Sequence, residues 1–452
     1  MNRRTFLAAA AGAAVRPSRP NIIIFLADDL GWADVGFNQS EIRTPHIDRL
    51  ASEGVRFNRF YSYPLCSPTR AGLLTGRSPM RLGVGYHVIR PWLDYGVPLN
   101  EHFMPESFRA AGYQTAITGK WHLGHSRRHY LPNARGFDHA YGHLNGMIDY
   151  FTHMRDGGLD WHRNGVSVEE KGYSTDLLAA EAARFIERRD RNRPFFLYVP
   201  FNAPHTPLQA PEEMIARYAS ISDKNRRIFA AMVEAMDAGI GRVLGVLDRE
   251  GIAANTIVLF LSDNGGPVAQ GARNVPLRGA KGSVWEGGTR VPAILRWPGR
   301  LRGGQTSEQL ISVMDVFPTL AAAAGVQPAN KLPLDGVNLW PEISSGGCRT
   351  RENILLAVET QRAFQYGLFH REWKLVSEWP VKGGEPQNHL YRIDEDPEEQ
   401  HDLAAKYPAV VKDLAARVEA WRALYPAGGV RAASNPPQGW KAPAKWAEAA
   451  RS

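Results

Sequence analysis

Cys66, in the run Cys66-Ser67-Pro68-Thr69-Arg70, is placed to serve as a nucleophile or its precursor. Pro68 suits the first turn of a helix, where its missing N–H would go unpaired anyway. Ala71–Thr75 can continue that helix, which puts Cys66 at a helix N-terminus, where free N–H groups attract anions. Arg70 then lies one turn beyond it. On its own the run also suits a buried structural cysteine, the common state of an unpaired thiol.

Oxygen ligands are grouped at two other places. Asp28-Asp29 and Asp263-Asn264 each follow an apolar run. Either pair alone could cap a helix or open a turn. Together they offer three carboxylates and an amide, an all-oxygen set that suits Ca²⁺ or Mg²⁺ and not Zn²⁺. Lys120, His122, His205 and Lys281 follow similar runs or sit in a glycine-rich loop, where proton transfer and anion binding are within their chemistry.

These residues need a scaffold that brings them to one edge. Four short apolar runs stop abruptly at polar clusters: Asn21–Ala27, Tyr113–Gly119, Pro194–Pro200 and Thr256–Ser262. Uninterrupted runs of this length read as strands buried on both faces, the pattern of a parallel sheet. Helical patterns lie between and beside them, at Thr44–Glu53, Pro105–Ala111, Thr175–Arg189 and Asn225–Arg249. The alternation predicts an α/β fold with a large, mostly parallel sheet flanked by helices. Ligands bind beyond the carboxyl ends of such strands, where all four clusters fall.

After a linker at Ser344–Arg351, short alternating segments follow at Ile354–Val358, Phe364–Phe369, Trp373–Val376 and His389–Arg392. A helical pattern at Pro408–Leu424 closes this unit, which reads as a small antiparallel sheet carrying one helix. The organisation expected is therefore a catalytic α/β domain over 20–343, an α+β subdomain over 352–425, and a surface-wrapping or flexible tail over 426–452. Arg3-Arg4 ahead of an Ala/Gly-rich stretch resembles a twin-arginine export signal within residues 1–19, which implies a periplasmic protein.

Composition narrows the classes further. Of 452 residues, 44% are hydrophobic and 22% charged, which is globular. No apolar run reaches the roughly 20 residues of a spanning helix, so stable membrane insertion is not expected. The net charge of +8 is scattered, without the dense basic run of a nucleic-acid binder. Two cysteines, Cys66 and Cys348, make no disulfide framework.

The chain resembles the type I, formylglycine-dependent sulfatase family. Cys66-Ser67-Pro68-Thr69-Arg70 matches its C-x-P-x-R signature, and Gly112-Tyr113-Gln114-Thr115 through Gly119-Lys120-Trp121-His122-Leu123-Gly124 its second signature. Ala27-Asp28-Asp29-Leu30-Gly31-Trp32 and Ser262-Asp263-Asn264-Gly265-Gly266 match the metal-ligand segments, and the likeness runs from about Asn21 to about Leu403. Within the family the pattern is nearest the arylsulfatase B branch, through Pro276-Leu277-Arg278-Gly279, Trp285-Glu286-Gly287-Gly288, Asp223-Lys224-Asn225-Arg226 and Arg135-Gly136-Phe137-Asp138. It departs from that branch at Gly282, where a large aromatic is the pattern, and in lacking most of its cysteines.

The resemblance implies an alkaline-phosphatase-like fold and hydrolysis of sulfate monoesters, aryl or carbohydrate, a sulfated hexosamine being one example. It implies that Cys66 is oxidised to formylglycine by a formylglycine-generating enzyme. One divalent cation, Ca²⁺ favoured over Mg²⁺, would be held by Asp28, Asp29, Asp263, Asn264 and the modified residue 66. Lys120, His205 and Lys281 would bind the sulfate, Arg70 would hold the hydrated aldehyde, His205 would protonate the leaving oxygen, and His122 would accept a proton from residue 66. The rival readings are a formylglycine-dependent phosphonate or phosphate-diester hydrolase, and a non-catalytic metal- and glycan-binding protein with Cys66 unmodified.

Overall fold

The computed structural model describes residues 19–432 and 435–452. The Arg3-Arg4 segment lies outside the described residues. Ten strands form the main sheet: β1 (Asn21–Ala27), β2 (Val55–Phe57), β3 (Gln114–Lys120), β4 (His139–His143), β5 (His162–Arg163), β6 (Val166–Ser167), β7 (Phe195–Pro200), β8 (Thr256–Ser262), β9 (Ala293–Arg296) and β10 (Gln305–Ser307). Their order is β10-β2-β9-β8-β1-β7-β3-β4-β5-β6. The central five, β8-β1-β7-β3-β4, are all parallel. Antiparallel pairs sit on both flanks, so the sheet is mixed around a parallel centre.

Alternation along β1 explains why its run is apolar throughout. Ile22, Ile24 and Leu26 face one core, and Ile23, Phe25 and Ala27 face the other. Helices α1 (Pro45–Glu53), α4 (Ser174–Arg188) and α5 (Lys224–Arg249) cover the second core. Helices α2 (Cys66–Thr75) and α3 (Met104–Ala110) cover the first. A second, four-stranded antiparallel sheet follows, β11 (Ile354–Glu359), β12 (Ala363–His370), β13 (Trp373–Pro380) and β14 (Gln387–Arg392), packed by α6 (Pro408–Arg422). The last residues are tied to the main body: Leu159 donates to the Ala444 carbonyl at 2.8 Å, Arg451 donates to Ser126 at 2.9 Å, and Trp446 is buried. Among the described residues no helix is long and apolar enough to cross a membrane.

One capping contact makes the fold sensitive to pH. Thr44 precedes α1 but its side chain does not cap it. Asp237 on α5 accepts instead, from the backbone N–H of Ile47 at 2.8 Å and of His46 at 3.1 Å. Burial outweighs these donors and pushes the Asp237 carboxyl up to about 7. A raised folded-state value means that this group's stabilisation is complete below the ordinary value near 4 and declines as pH rises to about 7. Asp237→Asn keeps an oxygen for both donors and is expected to stabilise the protein by about 1–3 kcal/mol at pH 8, with little gain at pH 4. Denaturant melts at the two pH values check this. A variant less stable than wild type at pH 8 would mean that the start of α1 favours the ionised carboxylate and that burial does not raise its value.

Candidate active site

The carboxyl ends of the central strands converge. Asp28 and Asp29 follow β1, Lys120 ends β3 and His122 follows it, His205 lies beyond β7, and Asp263 and Asn264 follow β8. Crosslinks hold these loops in register: Asp28 N–H donates to Ala203 at 3.0 Å, Asp263 N–H to Ala27 at 3.0 Å, and His122 N–H to Leu144 at 3.0 Å. Asp29 sits at φ 75°, which turns its N–H onto Asp263 Oδ1 at 3.1 Å. Such left-handed backbone at a non-glycine residue is characteristic of functional sites.

Cys66 opens α2, and every residue of that helix is buried. Its Sγ lies 3.4 Å from Asp28 Oδ1, 3.6 Å from Asn264 Oδ1 and 3.6 Å from Lys281 Nζ. Arg70 is fully buried and reaches Asp263 Oδ2 at 2.8 Å and Asp28 Oδ2 at 3.5 Å. Lys120 Nζ is 2.5 Å from Asp28 Oδ2, and Lys281 Nζ is 2.5 Å from Asp29 Oδ1. His205 Nε2 stands 3.7 Å from Asp29 Oδ2.

The electrostatics follow from crowding charges away from water. Burial and the neighbouring Asp28 charge push the Asp263 carboxyl up to about 7. Burial acts on Asp28 in the same direction, but Lys120, His205 and Arg70 together hold it well below the usual carboxylate range. Burial and the Asp263 charge push the Cys66 thiol up, and a thiol kept neutral is a weak nucleophile. Burial, with Lys281 adding, brings His205 down to about 4. Burial and Lys120 likewise lower His122.

The cluster fits a hard cation. Asp28, Asp29, Cys66 and His205 each bring a potential ligand atom within 4.8 Å of the others. Asp29 Oδ2 is buried without a hydrogen-bond partner, a cost that a metal ligand would not carry. Three buried carboxylates with an amide oxygen beside them match the donor chemistry of Ca²⁺ or Mg²⁺.

Cys66, His122, His205 and Lys281 line a pocket of about 160 Å³, while Lys120 and Arg70 lie behind it against the carboxylates. The same wall carries Arg90 and Arg155, which sequence reasoning did not single out. Two positioning residues were also missed. Ser67 Oγ donates to the His122 carbonyl at 2.9 Å and accepts from Ile89 N–H at 3.1 Å, joining α2 to two loops. Gly146 faces the His122 ring so closely that a Cβ there would come within 2.6 Å of it. His143, on β4 opposite Lys120, is buried with neither ring nitrogen paired.

Comparison with known proteins decides the family. A sulfatase family model matches residues 20–326. The chain belongs to the sulfatase family. It is 34% identical to mouse arylsulfatase J, over 89% of this chain and 75% of that protein. It is 36% identical to human N-acetylgalactosamine-6-sulfatase, over 81% of this chain and 74% of that one. The solved structure of Ps i-CgsB in complex with k-i-k-neocarrahexaose superposes with a TM-score of 0.83 at 35% identity, covering 90% of this chain and 94% of that chain. This sulfatase is a sulfuric ester hydrolase with the alkaline-phosphatase-like fold. Members of the family generally use a metal ion and formylglycine.

Proposed function

We propose that Cys66, converted to formylglycine, is the residue with which this sulfatase cleaves a carbohydrate sulfate. The observation that carries the reading is the placement of Cys66 Sγ at 3.4–3.6 Å from Asp28, Asn264 and Lys281, on the wall of the pocket. A carbohydrate ester is favoured because relatives at this level of identity include an N-acetylgalactosamine-6-sulfatase.

Asp28, Asp29, Asp263 and Asn264 would hold a divalent cation, Ca²⁺ favoured over Mg²⁺, which when bound would supply Lewis-acid charge to lower a hydroxyl pKa and offset sulfate charge. One hydroxyl of the hydrated aldehyde would attack sulfur as the S–O bond to the sugar breaks, and loss of the second hydroxyl's proton would then break the C–O bond to the sulfate and restore the aldehyde. Lys281, on the pocket wall, binds a sulfate oxygen and offsets the repulsion between an anionic ester and an anionic nucleophile. Lys120, paired with Asp28 behind that wall, fixes the carboxylate and adds positive potential. Arg70 does the same for Asp263 and so keeps the floor of the site in one geometry. His205 points its Nε2 toward the Asp29 side of the pocket and donates to the leaving oxygen. Approach of the sulfate anion raises the proton affinity of that ring. His122 bonds through Nε2 to the Ile89 carbonyl at 3.1 Å, which leaves Nδ1 to take the proton from residue 66.

Mass spectrometry of the peptide carrying residue 66, on protein matured with a formylglycine-generating enzyme, tests this. The aldehyde should replace the thiol in proportion to aryl sulfate turnover. Full activity from protein with an intact Cys66 thiol would overturn the reading.

A further inference from the structure

The pocket over Cys66, at about 160 Å³, is smaller than the roughly 300–1,000 Å³ of pockets that enclose a whole small-molecule ligand. It has room for the sulfate and little of what the sulfate is attached to. A second pocket of about 440 Å³ opens beside it, and the two share Val88 and Arg90. A substrate seated on Cys66 therefore continues past Arg90 into the larger space.

The wall of that space is unusual in its charge. Arg90 is exposed and has no side-chain hydrogen bond or ion pair among the described residues. Arg431, also exposed, rests its guanidinium 5.4 Å from the centre of the Tyr425 ring and has no carboxylate partner among the described residues. Glu359 is the one carboxylate on this wall, and His87 Nε2 engages it at 2.5 Å. Gln361 adds an exposed amide. On the Cys66 side, Arg155 lies close enough to Arg90 for the two charges to oppose each other. Arg155 is paired with Asp156 at 3.0 Å, so Arg90 and Arg431 are the two without counter-ions among the described residues. Together they make a field that draws in an anion, and a guanidinium binds an oxyanion through two parallel N–H groups.

We propose that this second pocket binds the neighbouring sugar of the substrate through an anionic substituent, a sulfate or a carboxylate, held by Arg90 and Arg431. The inference rests on the carbohydrate-sulfate reading above and names the substrate class more closely: an oligosaccharide charged on adjacent units. The site favours such a chain over an isolated sulfated monosaccharide.

The test compares four substrates of the formylglycine-bearing enzyme. They are 4-nitrophenyl sulfate, a disaccharide with a single sulfate at the cleaved position, the same disaccharide with a second sulfate on the neighbouring ring, and one with a uronate there. A charged neighbour should lower KM about fivefold to tenfold, by one or two exposed charge contacts. The arm with the larger effect identifies the substituent. Arg431→Ala should erase most of that preference and leave 4-nitrophenyl sulfate turnover within about twofold, since Arg431 does not line the Cys66 pocket. Arg431→Lys should restore part of it. Equal KM values for the neutral and charged neighbours, or a preference untouched by Arg431→Ala and Arg90→Ala, would overturn the inference. Turnover of the aryl sulfate with none of any sulfated disaccharide would overturn the carbohydrate reading instead.

Discussion

Cys66→Ala is expected to leave less than about 10⁻⁴ of wild-type turnover of an aryl sulfate, with the fold intact. On the mechanism proposed above the loss is large because the substitution would remove the covalent route altogether, leaving the lysines and a bound cation to hold sulfate without a group to attack it. The fold should survive because Cys66 contributes little to packing that alanine does not. Its Sγ is only a weak donor to Asp28 Oδ1 and Asn264 Oδ1, and the other polar atom of each side chain stays held, Asp28 Oδ2 by Lys120 at 2.5 Å and Asn264 Nδ2 by Asp29 Oδ1 at 2.8 Å. A change in stability within about 1 kcal/mol is expected. Progress curves with 4-nitrophenyl sulfate at high enzyme concentration, beside thermal melts, check both halves. Retention of a tenth of the activity would show that another group or a water attacks sulfur.

Much of this site was legible because sequence places its parts at the ends of unambiguous strands. β1 and β8 follow the predicted bounds to the residue, since Asn21–Ala27 and Thr256–Ser262 each have an unbroken apolar interior and stop ahead of aspartates. β3 runs one residue further than its apolar run, because Lys120 stays in the sheet and pairs with His143. Strands such as Val55–Phe57 and Ala293–Arg296 were not legible, because three or four residues carry no period and their pairing partners are distant in sequence. In the small sheet, β13 outlasts its apolar start at Trp373–Val376, since Ser377, Glu378 and Trp379 pair across to β12. The charged and titratable site residues that escaped notice share one cause. His143 reaches the cluster only through the β3–β4 pairing, and Arg90 and Arg155 only through loops that meet over the pocket. No spacing along the chain encodes such meetings.

The largest expected effect on stability lies at Lys374, in the contact between the small sheet and the loop that carries Lys281. Lys374 on β13 is fully buried, and its Nζ lies 2.8 Å from Glu286 Oε1 and 2.8 Å from Glu399 Oε1. Tyr61 donates to the other Glu286 oxygen at 2.7 Å, and Glu399 Oε2 accepts the Glu286 N–H at 2.8 Å. Burial pushes the Lys374 ammonium down, but the two carboxylates beside it pull harder and hold it above its ordinary value. Burial pushes Glu399 up despite Lys374. Lys374→Met keeps the volume and strands two buried carboxylates, which should cost about 3–5 kcal/mol. Glu286 retains Tyr61 and, at 3.6 Å, Arg290, so Glu399 is the group left most exposed to the loss. Adding Glu399→Gln should therefore recover at least about 1 kcal/mol, a coupling that a packing defect alone would not produce. The deficit of the single variant should also grow as pH rises, because the stranded Glu399 carboxyl has a raised folded-state value and is tolerated best when protonated. Activity should fall with stability. Glu286 begins a turn in which Gly287 N–H bonds to Arg278 at 2.7 Å and Gly288 accepts from Gly265 at 2.9 Å, next to Asn264. Loosening that turn loosens both the Lys281 loop and the end of β8. Denaturation midpoints at pH 5 and 8, with kcat for each variant, check the account, and a loss under about 1 kcal/mol for Lys374→Met would refute it.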